Sequence, residues 1–146
     1  MSVSNDFIMS ADISYHELSD FLTNTCELIV KSADNSGMPV YRCDDFNCFL
    51  IPVSDLCREI IKENFDFIPR WDMRFYLNSL PHHDTHRRMI ETMQLIMLEY
   101  DSDNVWLINN ESPQLLRRDG VITILGEHSQ YSHWADYLRR IVDDLR

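Results

Sequence analysis

The side chains best equipped for chemistry are concentrated in one short run, SLPHHDTHRR, where His82, His83, Asp84 and His86 stand within five positions. Imidazole nitrogens and a carboxylate are the ligands of zinc and related ions. His82 and His86, four apart, share a face wherever both lie on a helix. A metal-dependent hydrolase using His82, His83, Asp84 and His86 is the sharp reading of this cluster. Its context argues for something plainer. No glutamate stands between the histidines as in H-E-x-x-H, and no distant pair of ligands has a recognisable spacing. Pro81 suits a first helical turn and Asp84 or Thr85 suits an N-cap, so part of the cluster precedes regular helix. The run reads better as an exposed polar loop entering a helix, with no metal assigned.

Other chemistries fail on spacing. Cys43 and Cys48 enclose four residues, and no second pair or nearby histidine completes a zinc or redox motif. The four cysteines, Cys26, Cys43, Cys48 and Cys57, are unevenly spaced among apolar neighbours and read as reduced thiols. The run DSDN at 101–104 opens like a calcium loop but lacks the glycine and closing glutamate such a loop needs. With only three glycines, the chain has no phosphate-cradling loop, and it has no G-x-S-x-G elbow. No catalytic residue and no cofactor is assigned.

The elements that would position any site follow from periodicity. In SYHELSDFLTNTCELIVK, Ser14 and Glu17 form a capping box. Leu18, Phe21, Leu22, Cys26, Leu28 and Ile29 then recur at helical spacing, and Gly37 and Pro39 end the unit. VYRCDDFNCFLIPV reads as a hairpin around Asp-Asp-Phe-Asn. Ser54 caps a short helix, DLCREIIKENF, expected to turn Leu56, Ile60 and Ile61 inward. In RWDMRFYLN, Trp71, Met73, Phe75 and Leu77 alternate as in a strand while Met73, Tyr76, Leu77 and Leu80 suit a helix, with the strand the preferred reading, and Met89, Met93, Ile96, Met97 and Tyr100 mark one face of the next helix. VWLINNESPQLLRRDGVITIL reads as a three-stranded meander with a hairpin at Asp119-Gly120. A last helix carries Trp134, Leu138, Ile141 and Leu145 on one side, with Ser132 as its cap. No linker or repeat divides residues 1–146. The expected fold is a single α+β domain, an antiparallel sheet covered by helices.

Composition bounds the function. Of 146 residues, 45% are hydrophobic and 25% charged, which suits a folded soluble monomer or small oligomer. No membrane span or export signal is visible, and the expected location is cytoplasmic. The net charge of -11 opposes direct binding to nucleic acid, which needs clustered lysine and arginine. The acidity is regional. Residues 1–36 carry six acids and one base, and residues 99–111 carry four acids and no base, so one acidic face forms if these segments meet. The acids Asp34, Asp44, Asp45, Glu99, Asp101, Asp103 and Glu111, beside Tyr41, Tyr100 and Trp106, are the expected surface for a basic partner, which an inhibitor would block and a non-enzymatic adaptor would join to a larger assembly.

DNVWLINNESPQLLRRDGVITILG resembles a segment of small bacterial immunity proteins from polymorphic toxin and contact-dependent growth inhibition systems. The likeness spans about residues 89–146: a helix, a meander with an acidic turn after its first strand, and a closing tryptophan-bearing helix. It implies a cytosolic, non-enzymatic antidote that binds the toxin domain of a neighbouring cell's effector, often a basic nuclease, and blocks its active site. It carries over no catalytic residue and no interface, so the acidic set rests on electrostatics alone.

Overall fold

The computed structural model describes residues 3–32, 38–78, 83–125 and 135–145. In chain order the elements are β1 (Ser4–Met9), α1 (Tyr15–Asn24), β2 (Ile29–Ser32), β3 (Pro39–Arg42), β4 (Phe46–Pro52), α2 (Asp55–Phe65), β5 (Trp71–Leu77), α3 (His83–Glu99), β6 (Asn104–Ile108), β7 (Ser112–Arg118), β8 (Val121–Ile124) and α4 (Ala135–Leu145). The strands form one antiparallel sheet in the order β2-β3-β4-β5-β1-β6-β7-β8. The class is α+β, as the sequence pattern indicates.

Alternation along β1 sorts the two faces. Phe7 and Met9 join the large core, where Leu18 and Leu22 of α1, Met89, Met93, Ile96 and Met97 of α3, and Ile141 of α4 pack against the sheet. Asp6 and Ile8 point to the other face, where Ile8, Ile61 of α2, Phe67, Val105 and Leu107 form a smaller cluster. Among the described residues, three helices thus cover one face, and α2 alone covers part of the other.

Local signals explain most boundaries. Ser14 and Ser54 have extended backbones, and their hydroxyls accept from the amides of Glu17 and Cys57 at 3.1 and 3.2 Å. Asp66 ends α2 in the left-handed region, with φ 60°. Asp119 and Gly120, with φ 52° and 80°, make the tight β7–β8 turn that Asp-Gly favours.

Several expectations are corrected. The central strand β1 is absent from the sequence reading, because Asn5 and Asp6 are buried polar residues that hide its alternation. The first helix stops at Asn24, and Leu28 and Ile29 lie beyond it. Glu27 takes φ 59° and the Leu28 amide donates to the Leu22 carbonyl, which turns the chain into β2. The hairpin turn is Cys43-Asp44-Asp45, and Phe46 is a buried strand residue. In α2 only Ile61 is buried; Leu56 and Ile60 are exposed. The helix α3 already includes His83, so Asp84 and Thr85 lie in its first turn and do not cap it. Ser132 and Trp134 fall outside the described residues, as does the side chain of Leu138. No described helix is long and apolar enough to cross a membrane.

Candidate functional site

The sheet has two ends, and the expected acidic residues divide between them. At one end Met9 faces Trp71 and Asn104, Asn104 faces Arg117, and Arg118 faces Val121. At the other, Ser4 faces Tyr76, Phe46 faces Leu77, and Ile108 faces Ser112. Six residues of β1 separate the ends by roughly 20 Å.

The first end collects carboxylates from four separate connections. Asp12 follows β1, Asp66 caps α2, Asp101 and Asp103 precede β6, and Asp119 turns β7 into β8. Asp12, Asp101, Asp103 and Asp119 line one open concavity with Ser10, Ser102 and Gly120. Three arginines thread this cluster. Arg70 pairs with Asp12 at 3.5 Å and Arg117 with Asp101 at 3.3 Å. Arg118 reaches Asp66 at 3.2 Å and Asp103 at 3.4 Å and also bonds Asp119. Five acids against these three bases leave a negative excess. The Asp12, Asp66 and Asp101 side chains are 85%, 89% and 92% exposed, so their charge faces solvent. Hydrogen bonding to Asp66, followed by the charges of Asp119 and Asp103, pushes the Arg118 guanidinium further up, which keeps it cationic.

The scaffold under these charges is firm. Arg117 is buried and donates to the Met97 and Tyr100 carbonyls at 2.8 and 3.2 Å, satisfying the C-terminus of α3 from a neighbouring strand. Ser10 and Asp103 are tied by two bonds: the Ser10 amide to the Asp103 carbonyl at 2.9 Å, and the Asp103 amide to Ser10 Oγ at 3.0 Å. Asp103 Oδ1 accepts the Asp119 amide at 2.9 Å. Asp103 is therefore a brace for the loop, 23% exposed, while Asp101 is an almost fully exposed charge that holds one ion pair, with Arg117. Glu99 is exposed beside them at the end of α3. Tyr100 is half-buried with its ring edge-on to Phe21 at 5.4 Å, and burial raises its phenol.

The other expected members lie elsewhere. Asp44 and Asp45, in the β3–β4 turn held by Asn78, and Glu111, in the β6–β7 turn, belong to the opposite end. Asp34 lies outside the described residues. Trp106 is corrected outright: it is 1% exposed in the core, with its Nε1 donating to Asn5 Oδ1 at 3.0 Å, and has no surface to offer a partner. Tyr41 is likewise buried, its hydroxyl 2.7 Å from those of Tyr15 and Ser19. Sequence reasoning missed Asp12, Asp66 and Asp119. Asp12 belongs to the acidic first segment and Asp119 to the hairpin signal, but only the sheet order brings them to Asp101.

Of the histidine cluster, His82 lies outside the described residues, as do the side chains of His83 and Asp84; His86 is buried in α3. Among the described residues no three of His, Cys, Asp and Glu come together to hold a metal ion. All four cysteines are free, and burial pushes the Cys26 thiol to about 12, Cys48 well above its ordinary value, and Cys57 upward. The Cys26, Cys48 and Cys57 thiols are therefore poor nucleophiles.

The chain belongs to the SitI3-like family, whose model matches residues 5–138, from β1 into α4. Proteins of this kind are immunity proteins of polymorphic toxin systems. No curated protein and no solved structure matches the chain.

Proposed function

We propose that this chain is a non-enzymatic immunity protein that neutralises a cognate toxin domain by docking its acidic end over the toxin's cationic face. The toxin in this reading is a basic nuclease, and the encounter takes place in the cytoplasm of the protected cell. A nuclease must present cationic groups to bind phosphate, and a rigid carboxylate cluster is complementary to such a site. The supporting observation is the convergence of Asp12, Asp66, Asp101, Asp103 and Asp119 at one end of the sheet from four connections distant in sequence.

Steering by such a cluster speeds association and weakens with salt. The reading is tested by affinity capture of the partner from the native host, followed by co-expression of the captured domain with and without this chain. The expected result is an equimolar complex with a basic domain whose toxicity is suppressed. A partner that remains toxic in the complex would overturn the proposal.

A further inference from the structure

Among the described residues the sheet ends in two open edges, β2 and β8, each paired with a neighbour on one side only. An open edge invites a further strand, and proteins ordinarily guard it with charge, proline or a bulge. β2, Ile-Val-Lys-Ser, carries the exposed Lys31. β8, Val-Ile-Thr-Ile, has no charge and no proline, and its register with β7 runs from Arg118 against Val121 to Leu115 against Ile124 without a bulge.

The pairing with β7 determines which backbone groups of β8 are left over. The Leu125 amide donates to the Gln114 carbonyl at 2.9 Å. Antiparallel strands alternate, so Thr123 and Val121 also turn toward β7, and the amides and carbonyls of Ile122 and Ile124 point out from the edge. Neither outward amide bonds a described residue. The Ile122 and Ile124 side chains pack against the large core, while Val121, Thr123 and Leu125 point to the α2 side, where Val121 is 65% and Leu125 43% exposed. The strand starts at the acidic end. Val121 faces Arg118, which holds Asp66, Asp103 and Asp119, and the Asp66 and Asp119 side chains are 89% and 79% exposed.

We propose that β8 receives an extended segment of the partner toxin as a further strand, with aliphatic or aromatic side chains of that segment against Val121 and Leu125 and a cationic one against Asp119. The outward groups of Ile122 and Ile124 supply the backbone bonds, and the exposed aliphatic row supplies the side-chain contact. Charge selects the occupant. A second copy of this chain brings its own net charge of -11 to the carboxylates where β8 begins, whereas a segment of a basic domain is complementary to them. The occupant rests on the toxin-binding reading; the open edge does not.

The test is amide hydrogen exchange by NMR on the unaltered protein, alone and with the captured toxin domain. Alone, the Ile122 and Ile124 amides are expected to exchange at least about tenfold faster than those of Thr123 and Leu125. In the complex, the two outward amides are expected to slow at least about tenfold. Slow exchange of both outward amides in the free protein overturns the open edge. A toxin that is neutralised while both amides exchange as before overturns strand addition and leaves the immunity reading intact; a captured domain that stays toxic in the complex overturns that reading and the occupant with it. Ile124→Pro removes the outward donor, and Ile124→Ala removes the same side chain but keeps it. The proline variant should bind toxin at least about tenfold more weakly than the alanine variant, and equal affinities overturn the proposal. The exchange measurement stands whether or not the proline variant folds. Asp119→Asn keeps a residue suited to the left-handed turn and should weaken the complex at least about threefold at low salt; no change overturns the cationic assignment.

Discussion

Replacing Asp72 by asparagine should change how stability depends on pH, and the size of the change follows from the burial of this carboxyl on β5. Asparagine keeps the shape of the side chain, and Arg74 keeps its 2.8 Å bond to Asp6. What disappears is the titration. An aspartate in an unfolded chain has a pKa near 3.9. In the fold, burial and then the hydrogen bond to Asp6 raise Asp72 to about 8. Between those values the folded state holds a proton that the unfolded state has lost. The favourable contribution is fully present below about pH 4 and is lost as pH climbs through about 8. The slope in that window is at most about 1.4 kcal/mol per pH unit, so about pH 5 to about pH 8 covers on the order of 2–4 kcal/mol. Urea unfolding of both proteins at pH values across this range measures it, with the difference between them cancelling the titrating groups that do not interact with Asp72. Wild type should lose stability relative to Asp72→Asn as pH rises. A difference constant to within about 0.5 kcal/mol would refute an Asp72 that is protonated in the fold near neutrality.

Other predictions follow from the core, the caps and the thiols. Trp106→Ala should destabilise the fold by about 3–5 kcal/mol in chemical denaturation, through the cavity it leaves and the lost bond to Asn5. Ser14→Ala should cost about 1 kcal/mol by removing the acceptor for the Glu17 amide, read as a shift in the urea midpoint with an unchanged slope. Cys26 and Cys48 should resist a thiol reagent near pH 8 in the folded protein and react on unfolding; rapid modification of either in the native state contradicts their burial.

The sequence makes some parts of this molecule legible and hides others for physical reasons. Capping hydroxyls, the Asp119-Gly120 turn and the methionine stripe of α3 are local signals, and each element they mark is present. The strand β1 is hidden because it is buried on both faces, with Asn5 Oδ1 bonded by Trp106 and Asp6 by Arg74, partners 101 and 68 residues away in sequence. Leu28 and Ile29 fit a helical stripe until Glu27 adopts a left-handed backbone, which no periodicity announces. The acidic site is half legible: Asp101, Asp103, Glu99 and Tyr100 are neighbours in sequence, whereas their meeting with Asp12, Asp66 and Asp119 depends on β1 lying between β5 and β6. Placing Asp44, Asp45 and Glu111 on the same face fails because a strand's length separates them. The exposure of Leu56 and Ile60 on α2 escapes notice because their spacing looks like that of core positions.

The most direct test of the account is the association rate of the captured toxin with wild type and with Asp12→Lys/Asp101→Lys, measured across ionic strength. Both side chains are almost fully exposed and outside the bracing role of Asp103, and each gives up one solvent-facing ion pair, with Arg70 and with Arg117, so the fold should lose little stability, which urea unfolding of the variant checks. The account predicts an association rate for the double variant slower by at least about tenfold at low salt, converging with wild type as salt screens the acidic end. Equal rates and equal salt dependence for the two proteins would contradict docking through this end of the sheet.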